Sequence, residues 1–208
     1  MTLRHTRALA VVLAAAVVGW AVVVDRSETL MTDGGALPYL ALWVAMTAAM
    51  MLPSATPMLL LVDRLARRAT PLFALGYLTS WTGFGAVAYA VGARVEWDAT
   101  PALLVVAGMY QLLPLKRSCL RRCRNPLAFL RAYAGEPPFV VGVRHGAFCV
   151  GCCAGLMVVL LALGMASLEW MAVLALAIAV EKTWQRGEWL AGASAAVLLS
   201  AAAWMVLA

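Results

Sequence analysis

Residues 8–24 carry no charged side chain, and long apolar runs return six more times, at 38–62, 71–91, 101–115, 147–164, 168–180 and 189–207. Glu169 is the one charged residue in all seven runs together. Runs of this kind constrain the fold severely. An apolar solvent offers backbone N–H and C=O groups no partners, so such segments span as helices that satisfy their own hydrogen bonds. A crossing needs about 20 residues, and 208 residues therefore suffice for one bundle and leave no room for a soluble domain. Composition agrees. The chain is 64% hydrophobic and 12% charged, where a soluble domain carries about a quarter charged residues. The expected fold is all-α: a polytopic membrane bundle of about seven transmembrane helices forming a single domain over residues 1–208.

The basic residues set an orientation. With the N-terminus in the cytoplasm and the helices alternating, the inner segments hold Arg4, Arg7, Arg64, Arg67, Arg68, Lys116, Arg117, Arg121, Arg122, Arg124, Arg131, Arg144, Lys182 and Arg186. The outer segments hold Arg26 and Arg94 alone. This bias of 14 against 2 is the positive-inside pattern of a bacterial cytoplasmic membrane protein. The net charge of +6 is thus spent on topology and on anionic lipid at the basic loop, and no nucleic-acid partner is expected. Two readings of residues 8–24 stay open. Gly19-Trp20-Ala21 is a weak cleavage site, but the run exceeds the 7–15 residues of a signal-peptide core, which favours a retained helix. The tryptophans Trp97, Trp170, Trp184 and Trp189 fall at expected interfaces, whereas Trp81 falls mid-helix and reads as core.

The chemistry is concentrated between Tyr110 and Met157. All five cysteines lie there, with His145 and seven of the sixteen basic residues. Much of this stretch is the longest non-apolar interval, 116–146, read as a cytoplasmic basic loop. A reducing compartment favours free or metal-bound thiols over structural disulfides. His145, Cys149, Cys153 and Met157 follow at intervals of four and share a helix face that drifts slowly. Cys152 stands beside them. Imidazole, thiolate and thioether are the donors preferred by Cu(I) and other soft ions. Cysteine also packs helices as a small apolar residue, and that plainer reading stands for any one of them alone. Cys119 and Cys123 share a face if the fourth helix continues past the membrane, up to a stop at Asn125-Pro126. The arginines around them are expected to lower their pKa and raise their reactivity. Met46, Met50 and Met58 form a thioether row on the second helix, where Pro53 and Pro57 would kink it and free backbone carbonyls. A methionine row on an apolar helix is also ordinary packing. Tyr110 and Gln111 call for interhelical hydrogen bonds, and Glu181, next to Lys182, reads as solvated or lysine-paired. The sequence holds no phosphate-binding loop, no zinc-protease helix and no Ser-His-Asp arrangement, so an enzyme is the less favoured reading and the question stays open.

A set of short pieces carries a resemblance. They are Trp43 with Ala49-Met50-Met51-x-Pro53, Tyr77 with Trp81, and Gly108-x-Tyr110-Gln111-x-x-Pro114-Leu115-Lys116. They continue with Cys119-Leu120-x-x-Cys123-Arg124-x-Pro126, Gly151-Cys152-Cys153, Leu156-Met157, Trp170-Met171 and Glu181-Lys182. In these the chain resembles DUF2182, a bacterial family of predicted metal-binding integral membrane proteins sometimes labelled copper chaperones. The family has Trp after its cysteine pair where this chain has Ala154, which leaves more room beside the thiols. The resemblance and the residues together imply Cu(I) handling, by transport or by delivery to a membrane copper enzyme, with such an enzyme or a copper chaperone as partner. Cys149, Cys152 and Cys153 would be the primary ligands. Cys119 and Cys123 would take the ion up first, His145 would stand beside them, and Met46, Met50 and Met157 would line the interior. Two rivals remain: a membrane thiol–disulfide oxidoreductase and an accessory subunit of a larger complex.

Overall fold

A computed structural model describes residues 2–32, 35–92, 100–164, 167–184 and 187–207, with side chains throughout except those of 2–8, 28 and 30–32. The expected loop at 94–98, with Trp97, lies outside the described residues. Those described form helices and no strand. They are α1 (Thr2–Thr32), α2 (Ala36–Ala66), a short 3-10 turn (Arg67–Ala69), α3 (Thr70–Gly92), α4 (Thr100–Leu112), α5 (Pro114–Cys123), α6 (Pro126–Ala132), α7 (Pro138–Leu163), α8 (Leu168–Thr183) and α9 (Gly187–Leu207).

Four apolar helical stretches among them are long enough to cross a membrane: Leu9–Ser27, Ala36–Gly92, Pro138–Leu163 and Gly187–Leu207. The second is a hairpin whose arms, α2 and α3, hold 31 and 23 residues. At 1.5 Å per residue each arm matches a bilayer core of about 30 Å. The outward faces suit such a setting. Leu37, Trp189 and Trp204 stand 80%, 79% and 74% exposed, and Val197, Met205, Val206 and Leu207 add further exposed apolar side chains to α9. Trp170 and Trp184 are also exposed, while Trp81 is fully buried.

Residues 116–146 are mostly helical rather than a loop. Leu113, forced to extended backbone by the proline that follows it, ends α4. Pro114 then starts α5 at a position where its missing N–H costs nothing. Asn125 caps α6, its side chain accepting from the Ala128 amide at 3.2 Å, and Pro126 opens that helix. Pro138 likewise opens α7, nine residues before the start expected at Ala147. The polar Arg144 and His145 hid this extension, because a helix with polar residues in its early turns does not read as one apolar run. Gly164, at φ 101°, ends α7. Through Pro53 and Pro57, α2 continues as one helix.

One close contact places the site. The α3 and α7 backbones touch where Gly76 and Gly142 lie, and a Cβ on Gly142 would run into the Phe73 carbonyl. With Gly146 four residues on, this is the small-x-x-x-small spacing that lets membrane helices approach closely. The approach brings Tyr77 of α3 to the thiols of α7. On its other flank α7 packs against α4 and α5, and α8 closes the group against α2 and α7.

Candidate metal centre

Cys149, Cys152 and Cys153 are all buried, and their sulfurs lie within 4.8 Å of one another. The helix supplies this convergence by itself, since residues three and four apart share a face. Cys152 Sγ stands 3.4 Å from Cys153 Sγ and donates to the Cys149 carbonyl at 3.2 Å. Three other elements complete the surroundings. From α3, the Tyr77 hydroxyl meets Cys149 Sγ at 3.0 Å. From α8, Lys182 Nζ donates to the same sulfur at 2.9 Å and to Ser54 Oγ of α2 at 2.9 Å. From α5, Cys123 Sγ approaches Cys152 Sγ at 3.8 Å. All five cysteines are free thiols.

Cys119 does not join the group. It is buried against α7, its sulfur 2.7 Å from where a Cβ on Gly151 would stand. Glycine at that place is what lets α5 lie so near. Nor are its thiol and that of Cys123 activated as the surrounding arginines led us to expect. Burial pushes the Cys119 thiol up, outweighing Ser118 and Arg122, which pull it down. The neighbouring Cys149 sulfur holds the Cys123 thiol well above the usual range. The α5 arginines sit on the outer face, where water screens them. We predict that a maleimide labels Cys119 of the folded protein more slowly than free cysteine at neutral pH, since the thiolate is the reactive form. A faster rate, read by mass spectrometry of the Cys119 peptide, would restore the activating role of the arginines.

His145 is 3% exposed, packed among the rings of Phe73, Tyr77 and Phe129 at 5.1 to 5.9 Å. Its Nδ1 has no hydrogen-bond partner. It lines a cavity of about 270 Å³ beside the thiols, with Cys123, Lys182, Met58, Ser54 and Arg124 also in the wall. Met46, Met50 and Met157 are buried in the hydrophobic core to which the three cysteines also belong.

Around this site the helices are joined by polar bonds that bear out the interhelical role expected of Tyr110 and Gln111. The Tyr110 hydroxyl donates to the Gly151 carbonyl at 2.6 Å. Gln111 Nε2 meets Glu181 Oε1 at 3.5 Å. Glu181 is lysine-paired, but its partner is Lys116, with Nζ to Oε2 at 2.7 Å and both side chains buried. The neighbouring Lys182 turns to Cys149 instead.

Sequence reasoning missed Tyr77 and Lys182 as groups of the site. By sequence Lys182 counts among the topology-setting charges. A signal was present in each case: a tyrosine one turn before a mid-helix tryptophan, and adjacent opposite charges at the end of an apolar helix, which burial would force to find separate partners.

The donors suit a soft metal. Three sulfurs converge with no carboxylate among them, a set that fits Cu(I) better than hard cations. Fold and site together thus define an all-helical protein with apolar helices of membrane-spanning length and a buried three-thiol group able to hold a soft ion. The family described as copper chaperone (PpoB2) matches residues 40–205, and the chain belongs to that family. Comparison with curated proteins and with solved structures finds no match.

Proposed function

We propose that this protein is an integral membrane Cu(I)-binding protein that receives the ion at Cys123 and holds it on Cys149, Cys152 and Cys153. The observation that carries the reading is a continuous row of sulfurs. It begins at a thiol lining an open cavity, passes to Cys152 at 3.8 Å, and ends in a buried three-thiol group. Thiols exchange Cu(I) readily between neighbouring sulfurs, so adjacency of this kind serves transfer as well as storage. Membership of a copper chaperone family and the soft donor set support the choice of metal.

In this reading the chain crosses a bacterial cytoplasmic membrane seven times, by α1, α2, α3, α4, α7, α8 and α9, with its N-terminus and the thiol end facing the cytoplasm. The α5 arginines supply the positive-inside charge there. Met46, Met50 and Met157 line the way onward, toward a membrane copper enzyme or another acceptor. His145 stands at the cavity as a nitrogen donor, and Cys119 shapes the α5–α7 contact rather than the ion.

The test is Cu(I) binding by the purified protein in competition with a chromogenic Cu(I) chelator. Wild type should withhold the ion, and a Cys152→Ser/Cys153→Ser variant should lose tight binding altogether. Serine is small and bonds to helix carbonyls, so the variant should still fold. A variant that holds copper as wild type does would remove the metal reading. If wild type instead loses two free thiols on mild oxidation without taking up metal, the short Cys123–Cys152 distance belongs to a thiol–disulfide carrier.

A further inference from the structure

The cavity beside the thiols is too large and has the wrong charge for a bare ion. Its volume is about 270 Å³, several times the share of about 30 Å³ that one water takes in the liquid. Its wall carries two cations, Arg124 and Lys182, and no acidic residue among those described. A free cation is repelled by such a wall, and an anion is drawn in. Both cations retain unused donors. Lys182 spends two of its three N–H bonds, on Ser54 and Cys149. Arg124 donates from one terminal nitrogen to the Trp184 carbonyl, which leaves most of its five N–H donors free. The unpartnered Nδ1 belongs to His145 in the same wall, and a buried polar atom without a partner calls for an explanation. Soft donors stand beside these charges: the Cys123 thiol and the Met58 thioether.

Resting on the reading of the three thiols as a Cu(I) site, we propose that the cavity receives copper as a Cu(I) complex of a small anionic thiol, a thiol bearing a carboxylate. Arg124 and Lys182 hold the carboxylate while Cys123 replaces the carrier sulfur. The exchange balances without electron transfer. A bond forms between copper and Cys123 Sγ, the bond between copper and the carrier sulfur breaks, the Cys123 proton leaves on the carrier as its thiol, and copper stays Cu(I) throughout. Transfer on to Cys152 then follows across the 3.8 Å gap.

Three thiols of nearly equal size separate charge from chemistry: 3-mercaptopropionate, 2-mercaptoethanol and cysteamine, which are anionic, neutral and cationic. Rapid-mixing measurements of Cu(I) uptake by the full chain in detergent, at matched free Cu(I), should give a rate about tenfold higher from the anionic complex than from the neutral one, with the cationic complex slowest. Added salt should shrink the difference. Arg124→Gln should remove most of the anionic advantage, Arg124→Lys should keep it, and neither should change the equilibrium affinity for Cu(I). Equal rates from the three complexes in a protein that does bind Cu(I) would overturn this assignment and leave the thiol site standing. An anionic advantage that survives in Arg124→Gln would assign the attraction to the outer arginines of α5, and would also overturn it. Failure to take Cu(I) from any of the three would remove the thiol site itself.

Discussion

Lys116→Met should destabilise the folded protein by about 3–5 kcal/mol, the cost of leaving a buried charge without its partner. The side chains concerned are among the least exposed in the molecule: Lys116 at 1%, Gln111 at 1% and Glu181 at 2%. Lys116 Nζ bonds to both of the others and ties α5 to α4 and α8. Its loss leaves the Glu181 carboxylate facing apolar surroundings with a single weak contact, from Gln111 at 3.5 Å. Replacing both charges behaves differently, because a buried pair exchanged for packed apolar groups is often neutral or even stabilising. Lys116→Met/Glu181→Leu should therefore regain most of the loss. Thermal unfolding in detergent reads both variants. A single variant as stable as wild type would mean that water reaches Glu181. A double variant no better than the single would mean that the pair is needed for its geometry and not only for its charge balance.

That network also shows where the sequence is legible and where it stops. Apolar runs and turn residues announce helices, because an apolar segment has few partners for its backbone other than its own. The cysteines of α7 announce a shared face, because helical geometry fixes what lies three and four residues apart. Both depend on local rules. Lys116 and Glu181 are 65 residues apart, and nothing local tells either that the other is there. A terminal lysine beside a glutamate reads as a neighbouring ion pair, yet the two turn opposite ways, Glu181 to Lys116 and Lys182 to Cys149. The same limit applies to Cys119 and Cys123. Their four-residue spacing gives one face on α5, but which of them meets the α7 thiols depends on the helix crossing. Cys119 ends against Gly151, and Cys123 ends against Cys152. The start of α7 was lost for another reason. Hydropathy marks the apolar span, and the helix begins more than two turns before it.

Lys182 yields the second large effect. A Cu(I) ion held by two or three thiolates leaves the group with net negative charge, and here that charge would sit in a buried place. Lys182 Nζ, 2.9 Å from Cys149 Sγ, is the cation positioned to compensate it. Its anchorage on Ser54 Oγ at 2.9 Å holds it there. Groups that touch a ligand rather than the metal typically alter affinity by 10–100-fold. We predict that Lys182→Met weakens Cu(I) binding within that range of about 10–100-fold, and that Lys182→Arg, which keeps the charge on a differently shaped head, falls between the two. Competition against a Cu(I) chelator measures all three proteins, and thermal unfolding checks that the methionine variant is intact. A folded Lys182→Met variant that binds Cu(I) as tightly as wild type would show that the thiol site does not depend on this ammonium. The bond to Cys149 would then be a packing contact that ties α8 to α7, and charge compensation would have to come from the protons that the thiols retain.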